Sequence, residues 1–266
     1  MSIILFYITN RVEVALIAEK YGVNRIWVDL EFIGKEERQK GMNSVKSSHT
    51  ISDIKNISSK LSKAEMLVRV NPWNDLSKRE IENVIEAGAD IVMLPMWKTK
   101  KEVENFINAV NGRIKTTLLL ETIEAENCLD DVLKIPGINE IHIGLNDLHL
   151  CYGMKFMFEL LTNGTVERII TKIRNSKIPY GFGGISHLGD GLVPAQMILI
   201  EHYRLGSTRA ILSRGFCDQS KSLEEIEKQF KINMKHLRDF ESTITSEIFQ
   251  SNKKSLEEKI RIVVNK

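Results

Sequence analysis

Short apolar runs alternate with helix-like stretches along nearly the whole chain, and no other feature limits its fold so strongly. "IILFYIT" (3–9), "RIWVDLE" (25–31), "EMLVRVN" (65–71), "DIVMLP" (90–95), "KTTLLLE" (115–121), "EIHIGL" (140–145), "PYGFGG" (179–184) and "TRAILS" (208–213) read as eight strands. Runs such as "TTLLLE" are apolar at consecutive positions, the pattern of strands covered on both faces. Helical periodicity falls between them, at 12–22, 52–61, 78–88, 101–112, 125–135, 159–175 and 194–206. Gly22 and Gly88 end helices, and Pro194 opens one at its first turn. The tail from 222 to about 248 reads as one long amphipathic helix with a lysine-rich, fraying end.

Eight strands with intervening helices in 266 residues predict an α/β chain of the (β/α)8 TIM barrel class with an extra C-terminal helix. The barrel is expected over 1–220. The helical extension over 221–266 is either part of the same domain or an oligomer contact. A doubly wound open sheet would carry a G-x-G-x-x-G turn after the first strand, and "TNRVEV" has none. Most strands start about 22–30 residues apart, but the intervals after strands two and six are near 40. The excess falls in 32–50 and 146–165, loops that open at the C-terminal mouth where barrel enzymes hold their chemistry.

Net charge is +2, from 37 basic and 35 acidic residues, which points to neither a nucleic-acid nor a membrane partner. "KTKKE" (98–102) reads as a solvated helix start. The opening "MSIILFYITN" has too short an apolar run for a signal peptide or a membrane span. Cys128, Cys151 and Cys217 are widely spaced and form no C-x-x-C pair, which suits a reducing, cytoplasmic setting.

In "LLLETIEAE" (118–126) a buried strand ends in Glu121, where a carboxylate is costly to desolvate without compensation. Asp147 lies 26 residues on, one βαβ crossover away, so the two acids end neighbouring parallel strands. Two carboxylates with open positions suit Mg2+ or Mn2+. Alternatively Glu121 caps the next helix or pairs with a lysine. Asp29, Glu31, Arg69 and Met96 are the other strand-end residues. Arg69 can hold a carboxylate in a two-pronged contact, or can close an ion pair with Glu31 or Glu121.

"VDLE", "VRVN", "GADIVMLPM" and "LLLETIEAENCLDDVLKIPGINEIHIGLNDL" resemble, in order and spacing, the HpcH/HpaI aldolase/citrate lyase family, strongly over roughly 25–150. The resemblance implies a pyruvate- or phosphoenolpyruvate-type barrel in which Glu121 and Asp147 hold a divalent metal, Mg2+ or Mn2+ with Co2+ as a third option. It implies that Arg69 stabilises an enolate during reversible carbon–carbon cleavage, and that backbone groups near Gly144 and Leu145 seat the substrate carboxylate. The substrates would be a small keto acid and an aldehyde or acyl acceptor, handled by a homo-oligomer, a dimer or a hexamer.

Two departures bear on the acid–base step. Aldolase members carry D-x-E-H at the second strand, and here "DLEF" puts Phe32 in the histidine's place. Citrate-lyase-like members place a lysine after "LP", where this chain has Met96. His49, His149, Glu31 or a water on the cation are the candidate replacement bases. Asp29 and Glu31 could also orient a base or bind water beside the substrate, with Asp29 a candidate substrate contact, or could equally close ion pairs with Arg25 or Lys35. His142 reads as a packed core residue. "GFGGISHLGDG" (181–191) offers backbone N–H groups to an anion or simply makes a tight turn. Arg214 could contact an anionic substrate tail or make a surface pair. Packing is the default reading of Trp27, Trp73 and Trp97. Three functions compete: a metal-dependent carbon–carbon lyase, a citrate-synthase-like condensing enzyme on the same scaffold, and a non-catalytic barrel that lost its histidine base.

Overall fold

The computed structural model describes residues 2–34, 48–189 and 191–265. Its strands are β1 (Ile4–Ile8), β2 (Arg25–Asp29), β3 (Glu65–Arg69), β4 (Ile91–Leu94), β5 (Lys115–Leu120), β6 (Glu140–Ile143), β7 (Tyr180–Ile185) and β8 (Arg209–Leu212). They pair in sequence order, all parallel, and β8 returns to β1 to close the barrel, with Ile4 beside Arg209. The described helices are α1 (Val12–Lys20), α2 (Ile51–Ser58), α3 (Ser77–Glu86), α4 (Lys100–Val110), α5 (Ile123–Asn127), α6 (Leu129–Val132), α7 (Leu145–Cys151), α8 (Glu159–Thr162), α9 (Thr165–Asn175), α10 (Ala195–Arg204), α11 (Leu223–Glu241) and α12 (Phe249–Val264). No helix among the described residues is long and apolar enough to cross a membrane.

Side chains alternate across each strand, and closure turns that alternation into an inside and an outside. Ile26, Val28, Val68, Leu118 and Leu120 face the helices in the larger core. Phe6, Trp27, Leu67, Ile91, Met93 and Leu119 fill the barrel interior. Counting on by two from Trp27, Leu67 and Leu119 reaches Asp29, Arg69 and Glu121 at the mouth.

Counting back by two from Trp27 and Leu67 reaches Arg25 and Glu65 at the closed base. There Glu140 receives paired hydrogen bonds from Arg25 (2.5 and 2.6 Å) and from Arg209 (2.8 and 3.1 Å). Arg25 also reaches Glu65, which Lys115 contacts in turn, and its guanidinium lies 4.8 Å above the Phe6 ring. Burial by itself would raise the Glu140 pKa, but the two arginines outweigh it and hold the carboxyl below its ordinary range.

Three expected helices are divided. The stretch expected as one helix over 125–135 begins at Ile123 and breaks at Cys128 into α5 and α6. The stretch 159–175 splits into α8 and α9 at Gly164, whose φ of +87° is left-handed and suits glycine. The expected single helix 222–248 ends at Glu241, after a capping box at Ser222. A second helix, α12, takes up the lysine-rich end in place of fraying. Its Asn252, Leu256 and Ile260 lie four residues apart and form a buried stripe. Asn252 donates to the Met197 carbonyl (3.1 Å) and to Glu201 (2.9 Å), which fixes α12 on α10. α11 packs on α1 in the same way.

Glu140→Ala leaves two buried guanidinium groups facing each other. Urea unfolding at pH 7 is expected to show a loss of about 3–5 kcal/mol. The wild-type advantage should shrink as the pH falls through the carboxylate range, because a carboxyl held low in the folded state loses its contribution on protonation.

Candidate active site at the barrel mouth

Asp29 and Arg69 lie side by side in the β2–β3 register. Arg69 holds Asp29 with two prongs, Nε to Oδ1 at 2.8 Å and Nη2 to Oδ2 at 2.9 Å. Its Nη2 also lies 3.1 Å from Glu31 Oε2, and its guanidinium sits 5.1 Å above the Trp27 ring. Trp27 therefore has a contact beyond packing. β2 and β3 end at Asp29 and Arg69, so Glu31 stands in the loop beyond, not in the strand. Burial would weaken the arginine's charge, but Asp29, Glu31 and the more distant Glu121 raise its pKa above the ordinary value. The ion-pair alternative for Arg69 is thus realised with Glu31 and Asp29, and the charge of Glu121 also acts on it.

His49 comes to the same corner. Its Nδ1 accepts the Asp29 backbone N–H at 3.0 Å. A neutral ring so bonded carries its own proton on Nε2, a tautomer assigned from that bond. The remainder of the long loop, 35–47, lies outside the described residues. Phe32, in the family histidine's place, is 70% exposed. Asn71 accepts the Phe32 and Ile33 N–H groups (3.0 and 3.1 Å) and donates to Glu80 (2.7 Å). Burial lifts the Glu80 pKa against those hydrogen bonds. These residues border a rim cavity of about 520 Å³, lined by Leu30, Phe32, His49, Asn71, Leu76 and Glu80 among others.

Glu121 follows the last residue of β5 and is only 2% exposed, while Asp147 in the first turn of α7 is 8% exposed. Burial raises the Glu121 pKa well above its ordinary range, and the charge of Asp147 adds to the rise. Arg69 opposes it, Glu31 reinforces it, and the Met96 N–H donates to Glu121 Oε1 at 3.1 Å. Met96 holds a φ of +51°, an unusual left-handed conformation for a side-chain-bearing residue. The sequence singled out Met96 as a departure at the side chain, whereas its backbone makes the contact.

Gly144 and Leu145 place α7. The Gly144 N–H continues the ladder to the Leu120 carbonyl at 2.9 Å. A Cβ on Gly144 would lie 2.7 Å from Glu121 Oε2, so only glycine lets the two segments approach this closely. Leu145 packs on Gly183, where a Cβ would fall 2.7 Å from Leu145 Cδ1. Residues 181–185 of the glycine-rich stretch are the body of β7, and the turn follows at 188–189. The first-turn N–H groups of α7 lie beyond the helix's own ladder.

Two other histidines are held away from this centre. His149 is buried and bonds back to the Leu145 carbonyl (3.2 Å), and positions two apart on a helix face different ways. His142 is a core residue, tilted against Phe6 with ring centroids 5.8 Å apart, and burial lowers its pKa to about 4. Arg214 is exposed in a short helical turn after β8. Trp97 is fully buried, and its carbonyl accepts the Thr122 hydroxyl at 2.9 Å.

Among the described residues no group of three or more His, Cys, Asp or Glu side chains is arranged to hold a metal ion. The Glu121–Asp147 pair nevertheless fits a hard divalent cation that takes water and substrate oxygens as its other ligands. Both groups are oxygen donors and both are buried. Among the described residues, Asp147 is the charge that acts most on Glu121, followed by the opposing Arg69 and then by Glu31.

The family model for HpcH/HpaI aldolase/citrate lyase matches residues 2–178. No curated protein matches the chain by sequence. Among solved structures, an HpcH/HpaI aldolase from Desulfitobacterium hafniense DCB-2 superposes with a TM-score of 0.60 at 16% identity, covering 80% of this chain and 86% of that one. The citrate synthase SbnG gives 0.61 at 15% identity, covering 80% and 87%. A citrate lyase from Burkholderia xenovorans LB400 gives 0.59 at 12% identity and covers 98% of this chain and 92% of its own. At these identities the likeness is one of fold.

A carboxyl whose pKa is raised by folding stabilises the fold below its unfolded value, and that contribution is lost as the pH rises through the folded value. Metal-free Glu121→Gln is therefore expected to melt several degrees above metal-free wild type at pH 8. The gap should close as the pH falls toward the unfolded carboxylate value of about 4.3. Calorimetry across that range checks both the sign and the window.

Proposed function

The chain belongs to the HpcH/HpaI aldolase/citrate lyase family, and from that membership we propose a divalent-metal-dependent carbon–carbon lyase that reversibly cleaves a 2-keto acid through a pyruvate or oxaloacetate enolate. The observation that carries this reading is the buried pair Glu121 and Asp147, two like charges brought together at the mouth with Arg69 acting on one of them. Mg2+ or Mn2+ held there would supply a Lewis acid for the keto and carboxylate oxygens.

Arg69 stabilises the negative charge that develops on the enolate oxygen. Its contacts with Asp29 and Glu31 hold the guanidinium in place before reaction, so its orientation costs nothing at that moment. Gly144 and Leu145, at the head of α7, offer backbone N–H groups for the substrate carboxylate. His49, with its proton on Nε2 and its Nδ1 already accepting the Asp29 amide, is suited to hydrogen-bond the acceptor oxygen through Nε2–H and stabilise the charge that develops there, which leaves the base role proposed for it to Glu31 or a water on the cation. The Asp29 backbone N–H selects that form of the ring.

A condensing enzyme that uses an acyl acceptor is the second reading. It is favoured by Phe32, which removes the histidine of the aldolase pattern and presents an exposed apolar ring beside His49 at the rim cavity. Product analysis with a panel of aldehyde and acyl acceptors separates the two readings.

The proposal predicts exchange of pyruvate methyl protons for deuterium in the presence of Mg2+, Mn2+ or Co2+, followed by NMR. Exchange should disappear in Glu121→Ala and fall by about 100-fold in Arg69→Met. Absence of exchange with every metal, together with absence of metal binding, would favour the non-catalytic barrel.

A further inference from the structure

The last paired residues of β5 and β6 are Leu120 and Ile143, and one further bond runs from the Gly144 N–H to the Leu120 carbonyl, three residues before Asp147. Beyond that point each acid rides on its own βα connection, and the strand register does not set their separation. A second set of bonds ties the two connections together on the far side of the acids. Glu126, in α5, is buried although its helix is a short surface turn. Its Oε2 accepts the Tyr152 hydroxyl at 2.5 Å, and its Oε1 accepts Arg168 Nε at 2.7 Å. Arg168 Nη2 lies 3.5 Å from the Tyr152 oxygen and closes the triangle. Tyr152 is the residue that caps α7, the helix bearing Asp147, while Glu126 stands five residues after Glu121. The Cys151 thiol also donates to the Glu121 carbonyl at 3.8 Å.

We propose that Glu126, Tyr152 and Arg168 form a latch that fixes the spacing of Glu121 and Asp147 and so tunes their affinity and selectivity for a divalent cation. The inference rests on the reading of that pair as a cation site. Both oxygens of one buried carboxylate are engaged, one by α7's cap and the other by α9, so α5 and α7 cannot slide past one another without breaking a charge-assisted bond. A buried carboxylate with specific donors is an expensive way to fill space, whereas it suits a fixed distance between two ligand-bearing segments. The three are positioning residues, because they act through Glu121 and Asp147 and touch neither the cation nor the substrate.

Mn2+ titration of the full-length protein followed by electron paramagnetic resonance tests this, with Tyr152→Phe and Glu126→Gln as near-isosteric variants. Their dissociation constants for Mn2+ are expected to rise about tenfold. Competition should reveal a larger loss for Mg2+, which demands near-ideal octahedral geometry, than for Ca2+, which tolerates irregular cages. Melting temperatures of the metal-free variants report any purely structural role. A fall in melting temperature with unchanged Mn2+ affinity and unchanged Mg2+/Ca2+ preference in both variants overturns the latch alone. Failure of the wild type to bind Mn2+ at all, with Glu121→Gln indistinguishable from it, overturns the cation reading and the latch together.

Discussion

Two acids that repel each other are buried side by side at the open end of this barrel, and the chemistry assigned to the chain depends on that cost being offset. The closed base shows the contrast. There Glu140 is gripped by Arg25 and Arg209, and Glu65 by Arg25 and Lys115, so each carboxylate is met by two cations. At the mouth, among the described residues, acids outnumber the arginine that meets them. Arg69 is shared between Asp29 and Glu31 and reaches Glu121 only at longer range. A base of this kind belongs to stability, and a mouth of this kind belongs to binding.

The period of two along each strand links these layers. It carries Arg25, Trp27 and Asp29 up one interior line and Glu65, Leu67 and Arg69 up its neighbour. The same strands therefore supply the floor, the packing and the wall of the site. Small residues let the last pieces close in: Gly144 admits the Glu121 carboxylate and Gly183 admits Leu145. Met96 accepts backbone strain where its N–H reaches Glu121. The site is built by backbone placement as much as by its charged side chains.

Much of this could be read in the sequence. Runs such as "LLLE" and "VRVN" mark strands and name the residue that emerges at the mouth, because the side-chain period is fixed by geometry. Asp29, Arg69 and Glu121 follow from that period, whereas Asp147, in the first turn of α7, follows from its 26-residue spacing after Glu121 and from the family resemblance. Contacts that depend on how separate loops meet were not legible. Nothing in "SSHT" places His49 Nδ1 on the Asp29 amide, and nothing in "MLPM" foretells a left-handed methionine. Tyr152 and Glu126 pair across two helices whose approach is set by packing. The division of the tail was hidden because the polar break after Glu241 still falls within a helical pattern, and Asn252 shows its structural role only against Met197 and Glu201.

Anomalous diffraction from crystals soaked in Mn2+ and pyruvate addresses the central claim without relying on turnover. A manganese peak bonded to one oxygen of Glu121 and one of Asp147, with the keto acid's oxygens completing its shell and the Arg69 guanidinium beside the keto oxygen, is the predicted result. Pyruvate bound with those carboxylates turned apart and no manganese between them would contradict it.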